Sequence, residues 1–140
     1  MIFERRRYAR INLSIKEKCY FEYWNPGRKK GFLNQPRCVL TKNISGTGLM
    51  FLSPEYIGLN TVFDSEIRLP GGYKPINCQV KVTRCDKDTT KQDFYQVGVQ
   101  YIRIATDDQL SVIHFCEKKF EEMKKRLQEN KDIGLDYAEF

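Results

Sequence analysis

The chain has a single histidine, His114, and none of its five cysteines (Cys19, Cys38, Cys78, Cys85, Cys116) belongs to a CxxC pair. Structural zinc draws on clustered Cys and His ligands, so no metal centre is expected. One histidine excludes the ordinary His-based triads and multi-His metal sites. A Walker A loop and a GxSxG elbow are also missing. An enzyme is therefore the least favoured class, and no catalytic residue is assigned. No stretch approaches the roughly 18 apolar residues of a membrane helix. Met1-Ile2-Phe3 runs straight into Glu4-Arg5-Arg6-Arg7, which leaves no apolar core for a secretory leader. These absences predict a cytoplasmic protein. In that reducing setting Cys19, Cys38 and Cys78 read as small buried hydrophobes.

What is present supports one folded domain. The chain has 140 residues, of which 41% are hydrophobic, enough for a real core. Lys and Arg number 24 against 18 Asp and Glu, a net charge of +6. That excess favours an anionic partner: a nucleotide, nucleic acid or membrane surface. Its distribution is more telling, because Arg5, Arg6, Arg7 and Arg10 crowd into six residues opposed only by Glu4.

Period-two alternation runs through the middle of the chain. Cys19, Phe21 and Tyr23 alternate with polar neighbours, as do Ile76, Cys78, Val80 and Val82, and Tyr95, Val97, Val99 and Tyr101. Shorter strands are expected at 37–42, 49–52 and 62–69. Turns at Asn25-Pro26-Gly27, 45–48, Pro70-Gly71-Gly72 and 86–92 separate them. Six short strands at this spacing predict an all-β, antiparallel barrel. Trp24 is expected to fill one end of it. Thr106-Asp107-Asp108-Gln109 then reads as a capping box. Behind it, Ile113, Cys116, Phe120, Met123 and Leu127 recur at steps of three and four, the stripe of a C-terminal amphipathic helix. Packing on the barrel is the expected use of that stripe, with pairing to a second copy as the alternative.

Two segments carry the chemistry. Glu4-Arg5-Arg6-Arg7-Tyr8-Ala9-Arg10 sets two arginines four residues apart. Each guanidinium is a planar fork suited to phosphate oxygens or the O6/N7 edge of guanine. Asn43-Ile44-Ser45-Gly46-Thr47-Gly48 is a turn with a short hydroxyl and a glycine that permits close backbone approach or positive φ. Asn43 can offer a carbonyl to guanine N–H groups.

In order and spacing, Arg6-x-x-x-Arg10 followed by Asn43-x-Ser45-x-x-Gly48 resembles the signature of the PilZ domain family, over about residues 4 to 120. The resemblance implies a small six-stranded antiparallel split barrel with a C-terminal α-helix. It divides the chain into a flexible arginine-rich arm (1–12), a barrel (13–104), the helix (105–128) and a tail (129–140). It implies a bacterial second-messenger receptor that binds cyclic di-GMP through Arg6, Arg10, Asn43, Ser45 and Gly48 and acts on a downstream protein partner. Arg5, directly before the first motif, implies an intercalated pair of ligand molecules. Many family members carry Asp at the position of Asn43, and the amide accepts hydrogen bonds less strongly than a carboxylate. Two other readings compete: a PilZ-fold adaptor that ignores nucleotide, and a small basic β-barrel for RNA or single-stranded DNA.

Overall fold

A computed structural model describes residues 10–14, 17–27 and 36–132, with only the backbone given for 130–132. Among these residues seven strands precede one helix: β1 Ile11–Asn12, β2 Tyr20–Trp24, β3 Arg37–Ile44, β4 Gly48–Ser53, β5 Val62–Arg68, β6 Ile76–Lys87, β7 Tyr95–Ile104 and α1 Thr106–Asp132. All pairings are antiparallel. The sheet order β1-β3-β2-β5-β6-β7-β4 closes on itself because β4 also pairs with β3. The expected six-stranded barrel is therefore present. β1 is an extra two-residue strand that shares one edge of β3 in tandem with β2.

Alternation built the barrel as the sequence foretold. In β6, Ile76, Cys78, Val80 and Val82 point inward, and Phe63, Ser65 and Ile67 of β5 do the same. Phe21, Tyr23, Phe51 and Phe63 pack with ring centroids 4.9–5.4 Å apart. At the other end, Val112, Phe115 and Cys116 of α1 join Ile11, Ile44 and Tyr101 in the same core. Turn chemistry holds as well: Gly71 and Gly72 adopt positive φ after β5, a conformation that a Cβ disfavours.

Four expectations need correction. Cys38 is exposed, because it alternates with Val39 on the outward side of β3. Trp24 is buried but lies outside the core cluster. It stands opposite Asp64, on the side of β2 facing away from Phe21 and Tyr23. Gln109 does not reach back to close a capping box. Ala105 supplies the first helical carbonyl, to Gln109 N–H at 2.9 Å, and the Gln109 side chain leaves the helix altogether. Finally, only the first turns of α1 pack on the barrel. Val112, Phe115 and Cys116 are buried, while Phe120, Met123 and Leu127 are exposed.

The buried thiols make a testable set. Burial pushes Cys19 and Cys78 up to about 11 and Cys116 up to about 12. At pH 8 all three are protonated and enclosed, so a thiol reagent should modify Cys38 quickly. Cys19, Cys78 and Cys116 should react only as the chain unfolds, which pulse labelling with mass spectrometry reads directly. Their folded values lie above the unfolded value near 9. Their effect on stability is therefore absent below pH 9, and stability falls as pH rises from there toward 11–12.

Candidate functional site

The short strand β1 joins the two motifs. Ile11 pairs with Ile44 and Asn12 with Asn43, so Arg10, the residue before β1, enters beside Ser45. Arg10 is exposed, and Lys42 and Asn12 near it are exposed as well. Asn43 is half-buried between Asn12 on one side and Met50 of β4 on the other. Four of the six sequence-predicted residues, Arg10, Asn43, Ser45 and Gly48, thus meet at one end of the barrel. Arg5 and Arg6 lie outside the described residues.

The turn from Asn43 to Gly48 is held by its own atoms. Ser45 N–H donates to the Gly48 carbonyl at 2.9 Å. The Ser45 hydroxyl accepts from Thr47 N–H at 3.3 Å, lies 3.2 Å from the Thr47 hydroxyl and reaches the Gly48 carbonyl at 3.4 Å. At 5% exposure, Ser45 is first of all the residue that shapes the turn. Gly48 has no positive φ. It is needed for close approach instead: a Cβ there would overlap the Val99 carbonyl oxygen of β7. The motif glycine is what lets β4 close the barrel against β7.

A second set of bonds ties the turn to the rest of the fold. The Tyr101 hydroxyl donates to the Ser45 carbonyl at 3.0 Å and lies 3.3 Å from that of Gly48. Tyr101 N–H donates to the Thr47 carbonyl at 3.0 Å. Gln109, in the first turn of α1, donates through Nε2 to the Gly46 carbonyl at 2.9 Å, and the Cys116 thiol reaches the Ile44 carbonyl at 3.5 Å. Burial raises the Tyr101 phenol well above its ordinary value, so it stays a donor. Tyr101 and Gln109 were not found from sequence. Tyr101 reads as one more inward residue of β7 and Gln109 as a cap, and no local pattern says which distant carbonyl either will meet.

The segment after β1 is anchored too. Glu17 is partly buried, which by itself raises its pKa. It nevertheless sits below its ordinary value because Ser14 N–H and Lys119 of α1 favour the carboxylate. The Lys119 ammonium is 3.3 Å from Glu17. One helix therefore touches both the turn and the segment that follows the arm.

One cleft among the described residues shares no residue with this turn. It holds about 350 Å³ between Trp24, Asp64, Gln79 and Arg103. Its carboxylate is already engaged: Asp64 accepts from Gly27 N–H at 3.0 Å and from Gln79 at 3.3 Å. Among the described residues, no cluster of three or more His, Cys, Asp or Glu is placed to hold a metal ion. None of their helices is long and apolar enough to cross a membrane.

Comparison with known proteins agrees with this fold. A family model of the PilZ domain matches residues 4–118. No curated protein sequence matches the chain significantly. Among solved structures, the chain is similar to the Bacillus subtilis inhibitor of motility MotI/DgrA (TM-score 0.68, 19% identity, 86% of this chain and 53% of that one). It is also similar to the K. pneumonia MrkH–c-di-GMP complex (0.70, 18%, 89% and 57%). The PilZ domain of Escherichia coli YcgR with c-di-GMP aligns over 87% of this chain and 98% of that one, at 13% identity and a TM-score of 0.61. The chain thus spans about half the length of MotI/DgrA and MrkH. At such identities these likenesses establish the fold.

Proposed function

We propose that this chain, which belongs to the PilZ domain family, is a receptor for cyclic di-GMP, with Arg6 and Arg10 closing over a ligand that rests against Asn43–Gly48. One observation carries the reading: the register Ile11↔Ile44 and Asn12↔Asn43 delivers Arg10 to the Ser45 turn. The ligand presents guanine edges and phosphates, the two acceptor types a guanidinium fork fits. Asn43, half-exposed beside Arg10, offers an amide oxygen to guanine N–H groups. It does so less strongly than a carboxylate, which lowers affinity. Arg5 adds positive charge suited to a stacked pair of ligands with four phosphates. These roles call for neither a metal nor a catalytic group, and in this reading the chain is a cytoplasmic receptor that passes its signal to a protein partner.

The output runs through α1. β1 is held to β3 by only two residue pairs, a marginal strand by itself. Ligand bridging the arm and the turn fixes that strand and the carbonyls that Tyr101, Gln109 and Cys116 hold, so occupancy is transmitted to the helix. Titration calorimetry with cyclic di-GMP tests the receptor function and gives the ligand stoichiometry. Amide exchange over residues 1–12 tests the ordering of the arm. A folded protein that gives no heat at micromolar messenger is not a receptor, and unchanged exchange at saturation removes the proposed output.

A further inference from the structure

The second half of α1 is unused by the fold. Phe120, Met123 and Leu127 are 45%, 39% and 37% exposed, and no side chain from Phe120 to Glu129 is buried. At 3.6 residues per turn the three share an arc of only about 60°. Their spacing of three and four is that of an a/d seam, with Phe120 and Leu127 at a and Met123 at d. Arg126 then occupies g and Lys124 occupies e, while Lys119, also at g, is already held by Glu17 at 3.3 Å and Glu122 at 3.4 Å. Of the acids of this half, Glu129 falls on the opposite side, and Glu121 and Glu122 meet the borders only as exposed partners of Lys124 at 3.8 Å and Lys119 at 3.4 Å, pairs of little strength. Glu117 borders the seam only at Cys116, which is already buried against the barrel.

We propose that this seam docks an acidic amphipathic helix of another protein. The apolar row supplies the contact, and the basic borders select for Glu or Asp at the partner's e and g positions. The same borders reject a second copy of this chain. An antiparallel pairing that stacks Met123 on Leu127 sets Arg126 against Arg126 and Lys124 against Lys124 of the other copy. An anionic bilayer is also a poor fit, because helices that lie in a membrane surface immerse a wider apolar face. The inference stands on the helix alone and does not depend on the messenger reading.

The test uses the full chain and two synthetic three-heptad peptides with Leu at a and d, one with Glu and one with Lys at e and g. The Glu peptide should bind at least about tenfold tighter than the Lys peptide. Met123→Glu, on the exposed seam, should abolish that binding without changing the melting temperature. Lys124→Glu with Arg126→Glu should invert the preference. Equal binding of both peptides, no binding of either, or a preference unmoved by the charge swap overturns the proposal. So does a dimer in sedimentation velocity that Met123→Glu dissolves, or stronger binding to phosphatidylglycerol vesicles than to the Glu peptide. Glu-peptide binding that emerges only after removal of residues 133–140 also overturns it, because the occupant is then the chain's own tail.

Discussion

Arg10→Ala should weaken cyclic di-GMP binding about ten- to a hundredfold, and Arg6→Ala by a similar factor. One bidentate guanidinium–guanine contact discriminates by about 1–3 kcal/mol, and each 1.4 kcal/mol is about tenfold in affinity. Arg10 is exposed and lies before β1, so its loss leaves the core untouched and the melting temperature should hold. Arg37 provides the control. It begins β3, seven residues from Ile44, roughly 23 Å along a strand. Its ion pair with Glu55 at 3.0 Å is between two side chains more than half exposed, a pair worth less than about 1 kcal/mol. Arg37→Ala removes the same charge without touching the turn. Calorimetry in which Arg10→Ala and Arg37→Ala behave alike would mean that the arm acts only through net charge.

What the sequence reveals depends on where the fold uses strict alternation. β6 is legible because Ile76, Cys78, Val80 and Val82 are all apolar and all inward. β3 misleads. Its exposed Cys38 and Leu40 are apolar in type, its buried Thr41 is polar, and a bulge between Thr41 and Asn43 shifts the register. β1 has two residues, too few for any period to show, yet its pairing is what brings the motifs together. The helix fails for another reason. Its stripe from Ile113 to Leu127 is apolar in the sequence, but the buried side is set by where the barrel ends. Contact stops after about Lys119, so Val112 and Phe115 are covered while Phe120 and Leu127 are not. The motif residues stand out in the sequence through their resemblance to the PilZ signature. Whether each faces ligand or its own backbone could not be read from spacing, because Ser45 and Gly48 are fixed by contacts with Thr47, Tyr101 and Val99, far apart or interchangeable in the sequence.

Gly48 is where that ambiguity has the largest consequence. Gly48→Ala should destabilise the fold by about 3 kcal/mol, the upper part of the usual cost of overpacking. The added methyl overlaps the Val99 carbonyl oxygen and comes within 3.1–3.2 Å of Val99 C and Gln100 Cα, all main-chain atoms that cannot rotate away. Relief requires β4 to move from β7. That movement strains the six-residue register from Gly48↔Gln100 to Ser53↔Tyr95 and withdraws the Gly48 carbonyl from Ser45 N–H and the Tyr101 hydroxyl. Gly98, also in β7, has no such conflict: a Cβ there meets only the Arg84 side chain at 3.4 Å and the Thr83 hydroxyl at 4.0 Å. Gly98→Ala should therefore cost under about 1 kcal/mol. Urea denaturation of the two variants checks the difference. A Gly48→Ala protein as stable as Gly98→Ala would show that the glycine serves the ligand alone. If the predicted gap is found, loss of messenger binding in a Gly48 variant reports an opened barrel as much as a missing contact, and affinity must be measured well below its melting point.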